Sequence, residues 1–140
     1  MSCVKKNCVI IITGSQSSVL PYDIGNLKMF PLKQYSFLMG TQPDAVILCV
    51  NPFDDDDYIF RTINFLEASV NCKVIALCMF PMDQKNDWTG LYGQKTVLPL
   101  EKFNLLQRRF VEKYKIPIYL LSNESDMNIL FEQVVNYFSS

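Results

Sequence analysis

Apolar residues along the chain fall into runs that are typical of alternating strands and helices. Asp44–Val50 is an almost continuous apolar run of strand length, and Lys73–Phe80 is another. Between them, Asp54–Val70 carries apolar residues at helical spacing, with polar residues opposite. A strand, a helix and a strand in this order predict a βαβ unit with two parallel strands.

The rest of the chain continues this alternation. It predicts a strand at Val9–Thr13, a short helix from about Leu32 to Met39, a helix beginning at Pro99, a strand at Ile118–Leu121 and a last helix with Asn123 as its N-cap. We therefore expect a single α/β domain over residues 1–140. The expected architecture is a three-layer sandwich around a parallel sheet of four to five strands, Rossmann-like or degenerate P-loop-like.

Composition removes several classes of function. The chain has 140 residues, a net charge of −1 and no histidine. Without histidine, Ser-His-Asp and Cys-His catalysis within the chain are excluded. The balanced charge argues against a nucleic-acid-binding protein, which normally carries a basic surplus.

The five cysteines are odd in number and show no CxxC spacing, which fits a reducing compartment. Cys49 and Cys78 lie inside the apolar runs, so we expect both to be buried and unbridged. The run Val9–Ile12 is too short for a signal-peptide core or a membrane span. We expect a cytoplasmic protein without a membrane partner.

The segment after the first predicted strand stands where a phosphate-binding loop would be. It contains Gly14, Ser15, Ser17 and Ser18, but neither a second glycine nor a lysine follows. This predicts a simple turn and no nucleotide cofactor. The alternative is a nucleotide-binding or nucleotide-hydrolysing protein with an atypical phosphate loop, in which Asp54 or Asp83 would hold magnesium.

Four consecutive aspartates, Asp54–Asp57, are the strongest polar signal in the chain. Neighbouring residues on a helix point in different directions, so these carboxylates cannot converge on one metal ion unaided. We predict that Asp54 caps the following helix and that the next acids interact favourably with its macrodipole. Asn123 and Asp126 form a similar start to the last helix.

The long connection Met82–Leu98 has no clear periodicity and holds the only tryptophan. Trp88 and Tyr92 either anchor a binding partner or fold back over the end of the sheet, and both interpretations remain open. In an open α/β sheet, ligands bind at the carboxyl ends of the strands. The candidate ligand- or partner-binding residues are therefore Gly14, Ser15, Ser17, Ser18, Asn51, Asp54, Asp83, Trp88 and Tyr92.

The segment Pro43–Asn51, followed by Arg61–Ile63, resembles a known family. It is similar to the carboxy-terminal half of peptide maturation proteins encoded beside radical-SAM enzymes in clostridial peptide cassettes, and the similarity spans roughly residues 43–138. The resemblance implies a degenerate nucleotide-binding fold that assists peptide modification through protein or peptide contacts. It supplies no catalytic residue.

Taken together, these observations favour a non-catalytic accessory domain that binds a protein or peptide. The nucleotide-binding alternative given above belongs to a different class. A third alternative is a half-domain that forms a homodimer to complete its site, because a four-stranded sheet can leave an edge to pair.

Overall fold

The computed structural model describes residues 10–15, 18–21, 25–26, 28, 30–84 and 95–139, and it shows a mixed α/β fold. Its four helices and five strands alternate over most of this part of the chain. In chain order they are α1 (Leu32–Thr41), β1 (Ala45–Val50), α2 (Asp56–Ser69), β2 (Lys73–Met79), β3 (Met82–Gln84), β4 (Lys95–Val97), α3 (Leu100–Tyr114), β5 (Ile118–Leu120) and α4 (Glu124–Ser139).

The main sheet has three parallel strands in the order β1-β2-β5, with β2 in the centre. This confirms the predicted βαβ unit and its parallel pairing. The predicted strands Asp44–Val50, Lys73–Phe80 and Ile118–Leu121 match β1, β2 and β5 to within one residue at each end. Helices follow β1 and β5 directly, as the apolar periodicity indicated.

A β-bulge in β2 decides which side chains share a face of the sheet. Val46 pairs with Val74, but Ile47 pairs with Ala76, so Ile75 is an extra residue in β2. Beyond the bulge, Leu77 and Met79 join the larger apolar core, which also contains side chains from α1, α2 and α3. Alternate side chains point to opposite faces, and Ala76 and Cys78 accordingly pack against Leu130 of α4 on the other face.

The predicted first strand is not formed in this structure, as far as its residues are described. Ile10–Thr13 form no strand, and Ile11 and Ile12 expose 65% and 88% of their surface. Val9 lies outside the described residues. The run has β-branched residues suited to a strand, but propensity without a pairing partner does not make one.

The connection after β2 is more regular than its sequence indicates. Met82, Asp83 and Gln84 pair antiparallel with Val97, Thr96 and Lys95, so β3 and β4 form the base of a hairpin. Three-residue strands are too short to give a periodic signal, which is why the sequence did not predict them.

Cys49 and Cys78 differ in burial although both lie in apolar strands. Both are free thiols, as expected; Cys78 is buried, but Cys49 is exposed. The expected burial of Cys49 is therefore wrong. The reason is position: Cys78 is on the central strand beneath α4, whereas Cys49 is on the edge strand β1, on the same face.

Candidate functional site

The turn between β1 and α2 is built by two of the candidate residues, Asn51 and Asp54. Asp54 is 8% exposed, and its Oδ2 accepts a hydrogen bond from the Asn51 backbone N–H at 2.7 Å. The Asn51 amide Nδ2 donates to Asp54 Oδ1 at 3.3 Å, and the Asp54 N–H donates to the Asn51 carbonyl at 3.2 Å. These bonds close the turn, so the pair has a structural role at the carboxyl end of β1.

The helix cap is Asp55 and not Asp54, which corrects the sequence prediction. Asp55 Oδ1 accepts from the Asp57 N–H at 2.7 Å and from the Tyr58 N–H at 3.4 Å. Aspartate at either position fits the sequence pattern. Asp54 is diverted by the Asn51 N–H, which leaves Asp55 as the acceptor for the first turn of α2.

The next acid, Asp56, ties α2 to α3. Arg109 Nη2 lies 3.1 Å from Asp56 Oδ1, and Lys113 Nζ lies 3.2 Å from Asp56 Oδ2. The Tyr114 hydroxyl donates to the Asp56 backbone carbonyl at 2.9 Å. Burial, and then the nearby Asp56 carboxylate, raise the pKa of Tyr114 to about 12. The aspartate run therefore serves as a cap and an interhelical anchor.

The glycine–serine segment does not form a phosphate cradle in the residues described. Gly14 and Ser15 are exposed, and a Cβ added at Gly14 would meet no atom within 4 Å, so no close approach demands glycine there. The Ser18 hydroxyl is hydrogen-bonded to the Tyr58 hydroxyl of α2 and donates to the Leu20 carbonyl at 2.7 Å. Ser17 lies outside the described residues. Tyr58 holds this segment against α2 through these hydrogen bonds. The sequence did not identify it, because its position in the helical pattern indicates only a buried residue.

Of the three candidate residues in the long connection, the structure describes only Asp83. Asp83 lies on β3, and its carboxylate forms an ion pair with Lys102 in the first turns of α3. This contact holds the hairpin base against α3 and does not point to magnesium binding. Trp88 and Tyr92 lie outside the described residues, so their prediction remains untested.

At the carboxyl end of β5, Asn123 caps α4 as predicted. Its Oδ1 accepts from the N–H groups of Ser125 and Asp126, at 3.0 and 3.4 Å. Asp126 does not complete a capping box; its Oδ2 accepts from the Leu120 N–H of β5 at 2.7 Å. A sequence spacing of three residues fits both arrangements, and only the path of β5 into α4 selects between them.

Candidate residues from two strand ends thus have defined positions, but they do not converge on one site. Asn51 and Asp54 contact each other, whereas Asp83 pairs with α3 and Ser18 pairs with α2. Within the described ranges, no group of three histidine, cysteine or acidic side chains is arranged to hold a metal ion. No helix found there has both the length and the apolar character needed to cross a membrane.

Apolar surface is the other feature that bears on function. It occurs on all four helices, and one part of it lies on the α4 side of the sheet. Ile47 and Cys49 of β1 point to the face on which α4 packs, yet Ile47 is 40% exposed and Cys49 is also exposed. On α4, three apolar side chains spaced for one helical stripe are exposed as well. We call these five residues the α4-side surface: Ile47, Cys49, Phe131, Val135 and Phe138.

A second apolar feature lies between α1 and α2. A pocket of about 250 Å³ is lined by Val19, Phe30, Pro31, Leu32, Tyr35 and Phe65. The rings of Tyr35 and Phe65 have centroids 5.8 Å apart and are tilted by 49°, so α1 and α2 are in contact at this pocket. Every one of the six lining residues is apolar or aromatic.

The polar candidates at the strand ends hold turns and helices in place, and large apolar side chains are exposed on both sides of the sheet. In comparisons with protein-family models, curated proteins and solved structures, no match to this chain was found.

Proposed function

We propose that this protein is a non-catalytic accessory domain that binds a protein or peptide partner through the α4-side surface. The observation that carries the proposal is the uneven cover of the sheet. Side chains from three helices pack over one face, whereas α4 covers β2 and β5 on the other and leaves Ile47 and Cys49 of β1 exposed. Exposed apolar surface of this kind is typical of a contact site.

The exposed residues of α4 support the same proposal. Phe131 is 68% exposed, and Val135 and Phe138 follow at positions i+4 and i+7 on the same side of the helix. Aromatic side chains supply much of the binding energy in protein interfaces. A partner that covers this stripe would remove two phenylalanine rings from water. We also propose the finer architecture, a three-layer sandwich around a parallel sheet of four to five strands.

The resemblance seen in the sequence suggests the kind of partner. It implies a role in peptide maturation, so the partner would be a precursor peptide or the radical-SAM enzyme that modifies it. Either could place apolar side chains against Phe131 and Ile47. We propose the cytoplasm as the site of this interaction, where the free thiols of the protein would stay reduced.

The test first establishes whether a precursor peptide and a radical-SAM enzyme are encoded beside the gene. Each is then titrated calorimetrically against the purified protein. Phe131→Glu should weaken binding at least tenfold, which is about 1.4 kcal/mol. Leu105→Glu is the matched control, because Leu105 is also 68% exposed but lies on α3. It should leave the affinity within about twofold.

Three outcomes would contradict the proposal. One is that neither probe binds the wild-type protein, and another is that Phe131→Glu and Leu105→Glu weaken binding equally. The third is that light scattering shows a stable homodimer that Phe131→Glu dissociates, since a second copy of the chain would then be the partner. The absence of both neighbouring genes would remove the support that the resemblance provides.

Nucleotide binding is tested in parallel. The Ser18 hydroxyl is engaged by Tyr58, and Asp83 is paired with Lys102, so neither is presented as a ligand for a magnesium nucleotide. ATP and GTP with magnesium should bind no tighter than about millimolar, on the order of −4 kcal/mol. Micromolar binding would favour the enzyme class over the accessory role.

A further inference from the structure

One edge of β1 is available for pairing, in addition to the α4-side surface proposed above. Among the described residues, β1 pairs with β2 on one side and with no strand on the other. β1 consists of Ala45–Val50, which contains neither a charge nor a proline. Proteins usually protect an edge strand with such residues or cover it. An unprotected apolar edge is suited to pairing with another strand.

The backbone groups available at this edge can be assigned. The Lys73 N–H donates to the Asp44 carbonyl, and the Phe80 N–H donates to the Val50 carbonyl, so Asp44 and Val50 point their backbone groups toward β2. In a strand, alternate residues direct these groups to opposite sides. Three residues of β1 therefore direct theirs to the free edge: Ala45, Ile47 and Cys49.

The chain contains a segment with the complementary property. Ile10–Thr13 is a run of β-branched residues that form no strand here, and Ile11 and Ile12 are largely exposed. Such residues favour a pleated, half-buried position. At about 3.3 Å per residue, four residues extend for about 13 Å, which fits within the length of β1.

Topology would bring this segment to the same edge if it paired as a parallel strand. Leu38 of α1 belongs to the same core as Ile59 and Ile63 of α2, and the Tyr35 and Phe65 rings are in contact, so α1 and α2 cover the same face. The crossover β1-α2-β2 steps from β1 to the centre of the sheet. A crossover of the same hand through α1 would have to arrive at β1 from the opposite side.

The connection is long enough for this arrangement. Residues 14–44 separate Thr13 from β1 and contain α1, and a parallel crossover needs only a dozen or more residues. A segment tethered in this way has a high effective concentration at the edge, which favours it over a second copy of the chain at micromolar protein.

We infer that the β1 edge is a strand-addition site and that its occupant is the Ile10–Thr13 segment of the same chain, bound as a parallel fourth strand. In the bound state, the N–H and C=O groups of Ala45, Ile47 and Cys49 pair with this segment. The structure described above is then the state in which the segment is released from the edge.

Hydrogen exchange of the full-length protein, resolved by residue with NMR, tests this inference. The amides of Ala45, Ile47 and Cys49 should exchange at least tenfold more slowly than in an unprotected chain. Ile11→Asp should abolish that protection because it places a charge in the added strand. The amides of Val46 and Leu48, which face β2, should stay protected and report that the fold is intact.

Leu105→Asp is the matched control, since Leu105 is about as exposed as Ile11 and lies on α3. It should leave all five amides unchanged. If Ile11→Asp also deprotects Val46 and Leu48, Ile12→Asp replaces it as the test variant. This readout needs no binding partner, so it is independent of the calorimetric test of the accessory role.

Three results would overturn the inference. Rapid exchange of Ala45, Ile47 and Cys49 in the wild-type protein would show an open edge. Protection that survives both Ile11→Asp and Ile12→Asp would show a different occupant. Protection that rises with protein concentration, together with a dimer in light scattering, would assign the site to a second copy of the chain.

Discussion

Gln133 should be the polar residue on which the attachment of α4 to the sheet depends most. Its Nε2 donates to the Ile75 carbonyl at 2.7 Å, and its Oε1 accepts a hydrogen bond from the Tyr119 hydroxyl. Ile75 is the extra residue of the bulge in β2 and is partly buried. One amide side chain therefore connects α4 with both β2 and β5.

The cost of Gln133→Met follows from these contacts. Methionine keeps a similar length and apolar bulk but leaves the Ile75 carbonyl without its partner, and an orphaned buried acceptor costs about 1–3 kcal/mol. The Tyr119 hydroxyl also loses its acceptor. Both residues are partly buried, but the Tyr119 hydroxyl can turn to water, whereas the Ile75 carbonyl is fixed in the backbone of β2. We therefore expect Gln133→Met to lower the free energy of unfolding by about 2 kcal/mol, and Tyr119→Phe to lower it by about 1 kcal/mol.

Urea unfolding followed by circular dichroism measures both variants and the double variant. Because Gln133 and Tyr119 share a hydrogen bond, the double variant should lose less than the sum, with a coupling energy of about 0.5–1 kcal/mol. The slope of the unfolding curve should not change, since the same surface is exposed on unfolding. A loss below about 0.5 kcal/mol for Gln133→Met, or strict additivity, would refute the idea that this network anchors α4.

Three further outcomes follow from the site geometry. Asp55→Ala should lower the free energy of unfolding by about 1 kcal/mol because it removes the cap of α2. The control Asp57→Ala should change the free energy of unfolding by less than about 0.5 kcal/mol. Equal effects of the two variants in a urea melt would contradict the cap assignment. Burial and the nearby Asp56 raise the folded-state pKa of Tyr114 from its ordinary value of 10.0 to about 12. The stability that Tyr114 contributes is therefore complete below pH 10 and is lost as the pH rises toward 12. Tyr114→Phe should make the free energy of unfolding less dependent on pH over that range, and an unchanged pH profile would contradict this prediction. In a variant that keeps only Cys49 and Cys78, a thiol reagent should modify Cys49 first. The reason is that Cys78 is buried and that desolvation raises the pKa of its thiol to about 12. Modification of both cysteines at the same rate would mean that α4 does not cover Cys78.

The elements that the sequence predicted correctly are those with a long periodic signal. The apolar runs of β1 and β2, and the repeating apolar positions of α2 and α3, reflect burial against a core, and burial imposes a period. The base of the hairpin, β3 and β4, was missed because three residues cannot show a period. The bulge at Ile75 was also invisible, since an inserted apolar residue does not interrupt an apolar run.

Polar partners were harder to predict than elements, for a physical reason. A carboxylate near a helix start has several N–H groups within reach, and the chain path decides which one it meets. Asp54 turned back to Asn51, and Asp126 reached Leu120 of the neighbouring strand. Residue type and spacing therefore indicated that these side chains would be engaged at turns, but they did not identify the donors.

The composition of β1 is at odds with its place at the edge of a three-stranded sheet. A continuous apolar run is typical of a parallel strand that is covered on both faces and paired on both sides. β2 has such a run and such a position, with Ala76, Leu77 and Met79 fully buried. β1 has a run of the same character, yet Ile47 and Cys49 are exposed and one side lacks a neighbour among the described strands. An added strand would supply that neighbour, and a partner on the α4-side surface would cover that face, so the two proposals account for different parts of the same excess apolar character.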